Sequence, residues 1–353
     1  MTDVLRLESI TRGLRSLDHQ HGGGACRDAV IAQVHWAQQL LTARRSENAG
    51  RHLYVALADL HNLAGWTSFD VGLYASARRH FTRALEQARY TDEPSLVAKA
   101  LYCVGRLHLH CNWTSDALKF FQLGQLAAQE SGYELAVAML CANEAWTYAL
   151  LEQPDQALKS VGRAQDEFTR ADPAEAPAWV RFFGEADLHA LIAMTHAFLP
   201  DPTPQQRATA IAGFTRSLAE RGSGMARSRA FELTALATVH LQDGDLDQGA
   251  AVGNQAVDVA EQVRSMRVVD RTTPLLIEAE RHPTHPDVRG LADRIATLRA
   301  ASPASPPGRG AHRRIHDHAA AGSQGGERRA LVGRARHSRG TATAGDRSTG
   351  PYR

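Results

Sequence analysis

Two cysteines and two histidines, Cys103, His108, His110 and Cys111, crowd one short stretch of this chain. Thiolate and imidazole are the usual ligands of zinc and copper. On a helix, residues two positions apart point about 200° away from each other. His108 and His110 therefore cannot grip one ion without partners from elsewhere, and core or groove positions account for them better. Gly22-Gly23-Gly24 has no Lys-Ser/Thr after it and no strand before it, so it predicts a helix-terminating turn and no phosphate loop. No HExxH, no GxSxG and no carboxylate pair with a plausible base occurs. His312, His316 and His318 warrant weak adventitious metal binding at most. The expectation is a chain that is not an enzyme and carries no cofactor and no resident metal.

What the residue types do supply is a repeated framework. Leu63-Ala64-Gly65-Trp66, Gly72-Leu73-Tyr74, Ala77, Phe81, Ala84 and Leu85 form a motif that returns forty residues later as Leu101, Gly105, Ala117, Phe121 and Gly124. It returns again as Ala145, Tyr148, Ala157, Val161 and Ala164, and more weakly around Ala210 and Gly249. A period of this length means stacked helix pairs, each needing a neighbour to bury its apolar face. The first pair is predicted over 52–70 and 74–90, with Gly65 and Ala77 permitting close approach beside Tyr74 and Phe81. Helix starts are expected at Pro94 and Pro154, and the fourth pair at 178–198 and 203–220. In the fifth, Gly244-Asp245-Leu246 aligns with Gly72-Leu73-Tyr74 and Ala256 with Ala84.

The fold class is therefore all-α, a solenoid, divided as follows. Residues 1–50 form an N-terminal helical segment, with helices over about 3–19 and 25–44 and a polar break at 45–50. Residues 51–263 hold repeats at about 51–92, 93–132, 133–172, 175–221 and 225–263. Residues 264–300 form a capping pair with a more polar face. Residues 301–353 are almost devoid of large apolar side chains and rich in Gly, Arg and Ser, so disorder is expected there. An out-of-frame extension would have the same composition.

The net charge of +2 hides an asymmetry: the last 53 residues carry ten arginines against Asp317, Glu327 and Asp346, leaving a mildly acidic body. Such a body argues against a broad nucleic-acid-binding face. The four cysteines sit in apolar helical stretches without a CxxC pair, which fits buried reduced thiols in a cytoplasmic protein. The start lacks a secretory signal, and no apolar run approaches a membrane span.

The Gly65, Tyr74, Ala77, Phe81, Ala84 set and its Gly105/Ala117/Phe121 counterparts resemble the tetratricopeptide repeat, at a longer spacing and with a weak closing proline. Separated stretches are similar to actinobacterial helix-turn-helix regulators with a C-terminal tetratricopeptide domain. They are His21 to Ala29, Ala58-Asp59-Leu60 through Asp70-Val71-Gly72, Phe121 to Gln125, and Trp179 to Phe183. The resemblance covers about residues 3–300 and implies a right-handed superhelix of about five helix pairs. No helix-turn-helix pattern occurs in 1–50, so direct DNA binding is not carried over; the chain resembles the sensor half alone.

In tetratricopeptide solenoids the first helix of each pair lines the concave side. Alignment on Gly65, Gly105 and Ala145 puts Asn62, Trp66 and Asp70 there, followed by Lys99, Tyr102 and Arg106, then Met139 and Trp146 with Asn143 beside them. Arg181, Glu185 and His189, at i, i+4 and i+8, form a polar ridge on the fourth. Amides and guanidinium groups can hold a peptide backbone and a carboxylate. The expected partner is a peptide or partner-protein segment, with no membrane, and with homodimerisation left open. The alternative is a passive scaffold or a truncated regulator remnant.

Overall fold

The computed structural model describes residues 2–301 apart from 223 and 264. Among them the regular structure is all helical, without strands. Helices α1 (Thr2–His21) and α2 (Arg27–Gln39) precede a run of pairs. These are α3 (Glu47–Asp70) with α4 (Tyr74–Ala88), α5 (Pro94–His110) with α6 (Thr114–Glu130), and α7 (Glu134–Leu150) with α8 (Pro154–Arg170). Next come α9 (Glu185–Ala197) with α10 (Pro204–Glu220) and α11 (Ala226–Asp243) with α12 (Leu246–Gln262). Each pair packs internally and against the next, as in a helical solenoid. Helices α13 (Met266–Arg271), α14 (Thr273–Ala279) and α15 (Pro286–Ala301) follow. The expected tail lies outside the described residues beyond Ala301.

The forty-residue period is visible in the backbone. Gly72, Asn112 and Glu152 all turn through the left-handed region, at φ 77°, 58° and 57°. Each is followed by a residue whose N–H reaches five positions back: Leu73 to Ser68, Trp113 to His108 and Gln153 to Tyr148, at 2.9–3.0 Å. This is the six-to-one bond that closes a helix on a left-handed residue. Gly244 (φ 87°) repeats it with Asp245 to His240.

Within pairs, small residues meet large ones. A Cβ placed on Gly65 would lie 2.2 Å from the Phe81 ring, and one on Gly105 2.6 Å from Phe121. The first helix of a pair is sunk deepest: all but three of the seventeen residues of α7 are buried. The second helices bury one stripe, as α4 does with Ala77, Phe81, Ala84 and Ala88. That is the amphipathic pattern of a helix with one face to solvent.

Three boundaries differ from expectation. The break at 45–50 is shorter, because the Ser46 hydroxyl accepts from the Ala49 N–H and starts α3 at Glu47. The fourth pair does not begin near 178. Residues 171–184 run as turns, and Gly184 is extended at φ −107°, ψ −169°. Here Val180 and Phe183 are buried while the Trp179 indole donates to Ser95 at 2.9 Å. The first helix of the capping pair expected over 264–300 is split into α13 and α14, because Pro274 has no N–H for the Asp270 carbonyl, which accepts from the Thr273 hydroxyl instead.

Candidate ligand groove

Helices α3, α5, α7, α9 and α11 neighbour one another in turn, and α3 also meets α13. The array thus curls until its first and last members touch across the face the sequence marked as a groove. Asp70, fully buried at the end of α3, is the meeting point. Its carboxylate accepts from the Gly23 N–H (2.8 Å) and the Ser265 hydroxyl (2.8 Å). Arg227 and Arg267 lie 3.2 and 3.5 Å away. Gly23 can approach this closely because a Cβ there would meet Asp70 and Thr67 at under 3 Å.

One turn back along α3, Trp66 packs on Phe69, Phe81 and Tyr102, with the Arg267 guanidinium 5.0 Å from its ring centre. Burial pushes Arg267 down to about 10. One further turn back, Asn62 is buried with neither end of its amide hydrogen-bonded among the described residues. Burying a polar group in this way is costly.

On α5, Lys99 is already engaged: it pairs with Asp59, to which Arg15 also bonds at 2.7 Å. Burial works to raise Asp59, but these two cations overcome it and hold the carboxyl at about 2. Arg106 donates to the Asn143 side-chain oxygen at 2.7 Å, and the Asn143 amide nitrogen donates to the Met139 carbonyl. Trp146 is buried with its indole N–H unpartnered. The Arg106 and Arg271 guanidinium carbons lie 5.3 and 4.6 Å from its ring centre.

The structure therefore gathers Trp66, Tyr102, Arg106, Asn143 and Trp146 around α13, with Asp70 and Asn62 on the same wall. Arg181, Glu185 and His189 do not form the expected ridge. Arg181 lies in the turns before α9 and donates to the Ala176 carbonyl at 2.7 Å. Glu185 and His189 face α10, near Arg216 (3.5 Å) and Glu220 (3.1 Å). Glu185 also lines a surface depression of about 440 Å³ with Phe182 and Met225.

Sequence reasoning missed Arg227, Phe231, Arg267, Asp270 and Arg271. Asp270 accepts from the Tyr74 hydroxyl and lies 3.2 Å from His110 Nε2. Burial pushes His110 down to about 4, so the imidazole is neutral near neutral pH. His108 instead sits against Trp113 and Phe120, so the two histidines do serve different faces. The available signal was the i, i+4 spacing of Arg267 and Arg271 in a segment assigned to a polar cap.

The gathered groups are planar cations, aromatic rings and amides, a set suited to holding a chain segment and its charges. All four cysteines are free. Burial pushes Cys103 and Cys141 up to about 12, so those thiols stay protonated and unreactive.

No family model matches the chain, and no curated protein does. Among solved structures, the crystal structure of BtubC (BKLC) from P. vanneervenii is similar at 19% identity, with a TM-score of 0.47. The likeness covers 67% of this chain and 91% of that one.

Proposed function

We propose that this chain is a regulatory protein of tetratricopeptide-like type, a right-handed superhelix of about five helix pairs. Its concave face holds a peptide or a segment of a partner protein. The observation that carries this is α13. A six-residue helix of the chain's own already rests on that face, through Arg267 on Trp66 and Phe69 and through Arg271 on Trp146. The face thus has the chemistry to seat a helical segment, and Asn62 and Trp146 retain unpartnered polar atoms beside it. Because Asp70 touches α11 and the segment at 265–267, a ligand that shifts α13 changes the contact between the ends of the array. Weakly coupled helix pairs convert such a change into curvature or an exposed dimer face. The link to transcriptional regulation follows from the sequence resemblance.

The test is to identify peptides that co-purify with the full chain from its native lysate, then rebind synthetic copies. Binding that weakens at least ten-fold in Trp66→Ala is expected. Finding the protein alone, or binding indifferent to Trp66, would count against the groove. A scaffold without a sensing role is the second possibility, favoured by the internal pairing of Asp70 and Lys99. It predicts that no peptide is held.

A further inference from the structure

We propose that Arg106 and Arg271 form a carboxylate-binding site against Trp146, which takes an acidic side chain or the C-terminal carboxylate of the peptide. This deepens the groove reading and rests on it.

The charges inside the array are matched almost everywhere else. Arg227 and Arg267 share Asp70, and Arg227 also reaches Asp18 at 3.5 Å. Arg221 lies between Asp187 and Glu232. Lys99 and Arg15 converge on Asp59, while Tyr74 and His110 occupy Asp270. Among the described residues, only Asn143 bonds to Arg106, and neither Arg106 nor Arg271 has a carboxylate within ion-pair distance. Yet both converge on one buried indole, and burial together with Arg106 and Arg267 pushes the Arg271 guanidinium well down, against the weaker opposing effect of Asp270.

Two like charges held together in a partly desolvated place destabilise the free protein, and an arriving anion relieves both. The surroundings are preorganised for it. Asn143 accepts from Arg106 and is itself fixed by the Met139 carbonyl, so the guanidinium is oriented before anything binds. The Trp146 N–H is a further buried donor without a partner. Planar guanidinium forks beside flat aromatic walls fit a planar carboxylate. A tetrahedral phosphate more often takes a ring of backbone amides and a lysine, and the lysine of this face is bound to Asp59.

The probe is tetraglutamate, titrated calorimetrically into the full-length protein, with tetraglutamine amide and inorganic phosphate as controls. Tetraglutamate is expected to bind and raise the thermal midpoint, while tetraglutamine amide does neither and phosphate binds at least ten-fold more weakly. Arg106→Gln and Arg271→Gln should each weaken tetraglutamate at least ten-fold. In the wild-type chain, added tetraglutamate should slow hydrogen exchange at 139–147 and 266–271, a readout that needs no variant to fold.

Unchanged affinity in both variants overturns the site. So does equal binding of phosphate, or exchange protection confined to other segments. If a co-purified peptide binds both glutamine variants as well as wild type, the groove stands and this site falls. If tetraglutamate binds through the two arginines while no native peptide is held, the site stands and the groove reading falls.

Discussion

The carboxylate of Asp70 and the guanidinium of Arg267 stand 3.5 Å apart in the protein interior, although 197 positions separate them in the chain. Asp70 is wholly buried and Arg267 nearly so. Asp70→Asn keeps the shape but removes the negative charge shared by Arg227 and Arg267. Breaking a buried pair on one side costs about 3–5 kcal/mol. A loss of that size in urea denaturation is expected, with faster hydrogen exchange at both α3 and 265–271. A loss below about 1 kcal/mol would show that water reaches the pair.

Gly65→Ala places a methyl where the Phe81 ring now lies, 2.2 Å from the nearest ring atom. Overpacking of this kind costs about 1–3 kcal/mol. Adding Phe81→Leu should recover part of it, because the smaller side chain vacates the contact. Denaturation of both single variants and the double variant measures the coupling, and strict additivity would contradict the contact.

Glu152 occupies a left-handed turn position that glycine fills at 72 and 244. A side chain there costs about 1–2 kcal/mol, against about 0.5–1 for the extra freedom that glycine loses on folding. Glu152→Gly should therefore stabilise the protein by about 0.5–1 kcal/mol, seen as a higher denaturation midpoint at unchanged slope.

His61 and His80 lie with Nδ1 atoms 3.2 Å apart, and burial pushes each down to about 4. The folded chain holds both neutral, whereas the unfolded chain protonates them near pH 6.5. Their contribution is complete above that pH and is lost as the pH falls towards about 4. Each is worth on the order of 1–2 kcal/mol after allowance for solvent. In His80→Gln the loss of stability between about pH 7.5 and pH 5 should be smaller than in the wild type. An unchanged loss would place the acid sensitivity in other groups.

The parts of this fold legible in the sequence are those written locally. Gly65 above Phe81 and Gly105 above Phe121 are small-to-large pairings set sixteen residues apart, the span of one helix hairpin. The glycines at 72 and 244 mark their turns, and asparagine, as at 112, is the residue type that best tolerates this state after glycine, whereas Glu152 reaches it without an obvious signal. Residues 178–184 depart from the helix expected there because the period does not extend across them. Their conformation is set by burial of Val180 and Phe183 and by the Trp179 bond to Ser95, 84 positions away. The candidate groove shows the same division. Trp66, Tyr102, Arg106, Asn143 and Trp146 follow from repeat register, whereas the arrival of Arg267 and Arg271 depends on curvature accumulated over the whole array. A single repeat carries no mark of that sum.

Glu144, on α7, is buried and accepts from Gln122 and Gln125 of α6, with the Ser160 hydroxyl of α8 3.3 Å away. Gln125 in turn accepts from Arg163. The helix pairs look alike in sequence period, yet this junction is addressed to its own neighbours. Transplanting 134–170 to another place in the array would strand a buried carboxylate. At this junction one glutamate distinguishes its unit from the others, since a transplanted copy would leave its two α6 donors behind.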